Sequence, residues 1–125
     1  MIYSCAGSAD VGEIADRVTR RLRDEGYSRM TCLAGIGAGL SGFVQSAVGA
    51  DENITIDGCP IACARKSLER IGVKPTSYIL TDFGLKKHET PITDEIIEEV
   101  FEKIKKNSGF SATTQRTTAS GCCGT

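Results

Sequence analysis

Short runs of strand-forming residues alternate with longer stretches of helical periodicity, four times over, and this alternation restricts the chain to few architectures. The strand-like runs are residues 1–4, 29–33, 53–57 and 77–81. They are rich in Ile, Tyr, Thr and Leu, which suit a pleated, half-buried surface. Each is followed by a helical pattern. Strand–helix alternation predicts a parallel sheet with helices on its faces. The expected fold is therefore α/β and three-layered, a four-stranded parallel sheet of Rossmann-like or flavodoxin-like order 2-1-3-4. Right-handed crossovers would bring every strand-to-helix loop to one sheet edge, where open sheets of this kind bind ligands.

The helical stretches carry their own boundaries. Over residues 11–25, Val11, Ile14, Ala15, Val18 and Leu22 form one stripe. Asp10 and Glu13 have capping-box spacing, and Gly26 suits the left-handed stop. Leu40, Phe43, Val44, Ala47 and Val48 share a second face. Residues 60–71 read as a third helix, with Pro60 at its first position. The fourth has Thr93 as cap, an Ile92–Ile97 staple, and a stripe of Ile97, Val100, Phe101 and Ile104. After residue 107 the periodicity ends. We expect one domain over 1–107 and a disordered Ser/Thr-rich tail over 108–125, ending in Cys122 and Cys123.

Charge and apolar content narrow the function classes. Net charge is −1 over 125 residues, so bulk electrostatics offer nothing to nucleic acid or an anionic membrane. No apolar stretch approaches the ~20 residues of a bilayer span. The N-terminus enters a strand pattern without an export leader, which predicts a cytoplasmic protein. In a reducing compartment, six cysteines point to metal, cluster or catalytic thiol roles before structural disulfides.

Four of them fall where the topology would gather them. Cys5, Cys32 and Cys59 follow or close the first three strand runs, and Cys63 lies four residues beyond Cys59. Cys59 is expected at a helix N-cap with Cys63 one turn on, where dipole and free N–H groups favour thiolate. Four thiolates suit tetrahedral zinc or, alternatively, an iron–sulfur cluster.

Asp57, Gly58, Cys59 and Pro60, followed by Cys63, Lys66 and Leu68 and by the later run 80–87, resemble the DGC-domain family. That family is named for its Asp-Gly-Cys motif and described as zinc-binding on the strength of four cysteines. The resemblance spans residues 1–106. It implies a metal site formed by Cys5, Cys32, Cys59 and Cys63, in a structural or carrier role, with no established reaction.

Two enzyme readings compete. A thiol–disulfide or sulfur-transfer enzyme would use Cys59 as nucleophile and Cys63 as resolving thiol, with a thiol protein as partner. Cys59 and Arg65 also have the spacing of the cysteine phosphatase and arsenate reductase loop, although Pro60 removes one N–H from such a cradle.

Other polar residues have simpler roles. Asp57 is expected to accept backbone N–H groups, and Asp82 to serve a cleft or a turn. Lys86 and Lys87 could offset a four-thiolate zinc site, and His88, the single histidine, reads as an exposed bystander. Gly37, Gly39 and Gly42 have dinucleotide-fingerprint spacing but follow the second strand and lack the acidic partner. Their expected role is to let backbone pass close to the cysteines, or to point N–H groups at thiolates or a small anion. The Cys122–Cys123 pair could reach the cysteine edge, since a flexible tail of that length spans roughly 20 Å.

Overall fold

Helix α1 (Asp10–Asp24) shows how the core is specified. Val11, Ile14, Ala15, Val18 and Leu22 recur at helical spacing and are all buried. Its other face is laced by exposed pairs such as Arg17–Glu13 and Arg20–Asp16, which contribute little individually. The computed structural model describes residues 1–109. The remaining elements are β1 (Ile2–Ser4), α2 (Leu33–Gly37), α3 (Ser41–Gly49), β2 (Ile54–Asp57), α4 (Cys63–Arg70), β3 (Thr76–Ile79), a 3-10 turn (Leu80–Phe83) and α5 (Asp94–Ser108).

The sheet is parallel, in the order β1-β2-β3, with Ile2 opposite Ile54 and Ile54 opposite Thr76. Alternate strand residues face opposite sides. Ile2, Ile54 and Ile56 join α1 and α5 in one core cluster, where Val100, Phe101 and Ile104 meet Ile14, Val18 and Leu22. Tyr3 faces the other way and packs with Ile36 of α2, Ala47 of α3 and Leu68 of α4. Each fully buried Ile, Leu or Phe is worth roughly 1.5–3 kcal/mol in transfer free energy. Among the described residues no helix is long and apolar enough to cross a membrane.

The expected four-stranded sheet of order 2-1-3-4 is corrected to three strands. Residues 29–33 supply only a single bridge, Met30 to Ile2. The Ile2 N–H donates to the Arg29 carbonyl at 2.8 Å and the Thr31 N–H to the Ile2 carbonyl at 3.3 Å. The ladder stops there because β1 has three residues and the chain turns into α2 directly after Cys32. Helix α2, at five residues, is too short to carry a periodic signal.

The third helix is also shorter than expected. Pro60 lies in a turn, closed by the Ala62 N–H donating to the Cys59 carbonyl at 3.0 Å. α4 begins only at Cys63, behind Ala62 with φ 54°. At α5 the Thr93 hydroxyl accepts the Ile96 N–H at 3.2 Å, as its position suggests, while Ile92 stays 38% exposed. Gly109, φ 70°, closes α5. The tail, with Cys122 and Cys123, lies outside the described residues.

Candidate metal centre

Three backbones meet beyond the C-terminal ends of β1 and β2. The Cys5 N–H donates to the Ile56 carbonyl at 3.1 Å, carrying the ladder one residue past β1. The loop after Cys5 and the turn after Asp57 then both press on the start of α1. A Cβ on Gly58 would stand 2.5 Å from the Val11 carbonyl carbon, and one on Gly12 would stand 2.7 Å from the Gly7 oxygen. Glycine is required at these positions by close approach rather than by backbone angle.

The space left above this junction is a cleft of 560 Å³. Cys5, Cys59 and Cys63 line it, together with Lys87 and His88 from the loop before α5. Cys5 and Cys59 are half-buried and Cys63 is exposed, and all four described cysteines are free thiols. The Gly58 N–H donates to Cys5 Sγ at 3.4 Å. Burial pushes the Cys5 thiol above its ordinary pKa. The Gly58 and Gly7 N–H groups oppose that, and the charges of Asp57 and Cys63 add to it.

Cys32 stands apart from this group. It is the residue before α2, with extended backbone, and is not among those lining the cleft. Cys59 is not at a helix N-cap either. Ala62 takes that position, so the dipole's positive end falls at Cys63, and Cys59 and Cys63 are joined by a turn instead of one helical rung.

Asp57 explains the first letter of the motif. Its carboxylate accepts the Ala64 N–H at 2.7 Å and the Arg65 N–H at 3.1 Å, capping α4 from the end of β2. Those two N–H groups are therefore not free for an oxyanion, which removes much of a phosphatase-type cradle. Asp82 is exposed in the 3-10 turn and does not line the cleft.

The glycine loop has a different role from the expected one. None of residues 35–42 lines the cleft. Gly35 makes room for Phe43, whose ring would meet an added Cβ at 2.5 Å.

The loop opposite the thiols is the part the sequence did not reveal. Asp10 at the start of α1 accepts the His88 N–H at 2.8 Å and the Thr90 N–H at 3.0 Å. Thr90 Oγ1 accepts the Lys86 N–H at 2.9 Å and donates to the Lys86 carbonyl at 2.7 Å. Asp10 is thus not half of a capping box. It ties this loop to α1, and these N–H groups hold its carboxyl below the usual carboxylate range. No local sequence signal links residue 10 to residue 88.

In kind, three thiols beside a lysine suit a soft divalent metal. In distance, no group of three or more Cys, His, Asp or Glu among the described residues is drawn together closely enough to hold an ion.

The family pattern of the DGC domain matches residues 1–104. A curated relative, the anaerobic and virulence modulator AnvM of Pseudomonas aeruginosa, is 33% identical over 88 residues, covering 70% of this chain and 67% of its own. No solved structure matches significantly.

Proposed function

The chain belongs to the DGC-domain family, and from that premise we propose that it is a metal-binding protein with zinc as the preferred ion. Cys5, Cys59 and Cys63 are its thiolate donors. The observation that carries this reading is their shared cleft: three free thiols, from the end of β1, the turn after β2 and the first residue of α4, line one space. Cys32, the fourth cysteine of the family pattern, lies outside that lining. Binding a metal there would require Cys5, Cys59 and Cys63 to stand closer than they do and Cys5 to give up its proton.

A carrier role suits this site better than a structural one. The cleft is open enough to leave Cys63 exposed, and of its three thiols only Cys5 packs against an apolar cluster. Free thiols fit a reducing, cytoplasmic setting.

Protein purified without added metal is expected to hold about one zinc per chain by elemental analysis, as a single tetrahedral site binds one ion. Cys59→Ser should lose it. Wild-type protein that is metal-free and takes up no zinc on titration overturns the proposal. Brown colour under anaerobic purification would assign the site to an iron–sulfur cluster.

A second reading rests on the pairing of Cys59 with exposed Cys63 across one short turn. Metal-free protein that readily forms a Cys59–Cys63 disulfide would favour thiol–disulfide chemistry with a thiol partner.

A further inference from the structure

We propose that His88 is the nitrogen donor that completes the metal site of Cys5, Cys59 and Cys63, on a loop that Asp10 holds at the cleft. This assignment rests on the metal-binding reading above and names its fourth ligand.

Position is the first argument. His88 lines the cleft that the three thiols line, and Cys32 does not. Imidazole nitrogen is the natural complement to thiolate sulfur around zinc, in Cys₃His sites as in Cys₄ ones.

Backbone conformation is the second, independent argument. Among the described residues, the non-glycine residues with positive φ are Ala6 at 52°, Ala62 at 54° and His88 at 73°. All three border this one cleft: Ala6 follows Cys5, Ala62 precedes Cys63, and Ala62 and His88 line the wall. Such conformations are unfavourable for residues with a Cβ and persist where surrounding contacts enforce them. At residue 88 the enforcing contacts are visible. Asp10 fixes the N–H groups of His88 and Thr90, and the Thr90 hydroxyl closes the loop on Lys86. His88 itself is exposed, so its side chain is open to the cleft mouth and its backbone is what these contacts fix.

Charge is the third. Three thiolates, a divalent cation and a neutral imidazole sum to about −1, and four thiolates to about −2. The cleft wall offers a single lysine, Lys87; Lys86 is not in it. Asp10 and Asp57 also line the cleft, so one lysine does not neutralise either set, and the set with fewer thiolates adds less negative charge beside those two carboxylates.

The test uses cobalt(II) as a spectroscopic stand-in for zinc on the full chain. His88→Ala and His88→Asn are compared with wild type; asparagine tolerates the left-handed backbone, so the loop keeps its shape. Both variants should shift the visible ligand-field bands. Both should weaken cobalt and zinc binding by about 100-fold, since even a group behind a metal ligand is worth about 10–100-fold. Asp10→Asn should weaken binding by about tenfold with the wild-type bands retained, because it disturbs position and not ligand identity. Wild-type bands and affinity in His88→Asn, with wild-type protein binding metal, overturn the His88 assignment alone. Altered bands in Cys32→Ser with none in His88→Asn do the same, and give the fourth place to Cys32. Failure of wild-type chain to take up either metal sinks the metal reading itself, and this assignment with it.

Discussion

The Asp57 carboxylate reaches seven residues along the chain to accept the Ala64 N–H at 2.7 Å, with the Arg65 N–H on its other oxygen at 3.1 Å. One side chain at the end of β2 thereby satisfies two of the donors that α4 leaves open at its start. It also fixes the turn carrying Cys59, because both ends of that turn are tied to the same group. Asp57 is 1% exposed. Burial pushes its carboxyl above the usual range, and the two N–H groups and the charges of Arg65 and Lys66 pull against that. Asp57→Ala leaves two buried donors without a partner and should destabilise the fold by about 2–4 kcal/mol. Asp57→Asn keeps one good acceptor and should cost about 1–2 kcal/mol. Urea denaturation measures both, and an alanine variant within 0.5 kcal/mol of wild type would refute the capping role.

The middle residue of the motif is a steric requirement. Alanine at Gly58 would place its Cβ 2.5 Å from the Val11 carbonyl carbon and 2.7 Å from the Gly12 nitrogen. Both are backbone atoms of α1, so no side-chain rotation relieves the clash. Gly58→Ala should cost about 3 kcal/mol or more and open the cleft by displacing α1. Gly42→Ala is the contrast. It lies inside α3 with nothing within 4 Å of an added Cβ. That substitution should stabilise by about 0.4–1 kcal/mol. Equal effects from the two would show that packing against α1 is not what excludes a side chain at residue 58.

Periodicity made α1 and α5 legible, because a long apolar stripe and flanking caps over-determine a helix. It failed where elements are too short for period to speak. Residues 29–33 have the composition of a strand, but a strand needs a partner of matching length, and Ile2–Ser4 offers room for one bridge before Cys32 turns into α2. Pro60 fits a helix start and a turn equally well. Asp57 decided between them by capping at Ala64, a contact between separate elements. Cys5 and Cys59 are locatable because each lies just past the end of β1 or β2, and Cys63 because it follows Cys59 by four residues. His88 is not, because its place depends on a hydrogen bond to Asp10, 78 residues away.

Tyr3 gives the fold an alkaline limit. It is fully buried beneath α2 and α4, and its hydroxyl donates to Asn53 Oδ1 at 3.4 Å. Desolvation pushes its pKa up to about 12 from the ordinary 10. The folded state therefore holds the phenol proton more tightly than the unfolded state. The stability this proton contributes is complete below about pH 10 and is lost as pH rises through about 12, on the order of 2–3 kcal/mol in total. Tyr78 is raised by desolvation as well, so Tyr3→Phe should remove part of the slope and not all of it. Urea midpoints compared from about pH 9 to 12 check this. Parallel declines in wild type and Tyr3→Phe would show that Tyr3 does not set the limit.

Metal removal should leave the fold standing. Small zinc domains unfold without their ion because the ligands replace a core they lack. Here two apolar clusters flank the sheet, and α1 and α5 are joined by packing of Val18 and Leu22 with Phe101 and Ile104. Arg21 adds a guanidinium 4.0 Å from the Phe101 ring centroid and a salt bridge to Glu98. None of these groups is a proposed ligand. Chelated protein should therefore retain its helical circular dichroism and a cooperative thermal transition. Zinc should raise the midpoint by mass action alone, about 2.7 kcal/mol of added stability at a free concentration 100 times Kd. Each kcal/mol corresponds to roughly 4–8 °C in a domain of this size. A chelated chain without cooperative unfolding would mean that the ion holds the loops around Cys5, Cys59 and Cys63 as a structural element. The carrier role would then give way to a structural one.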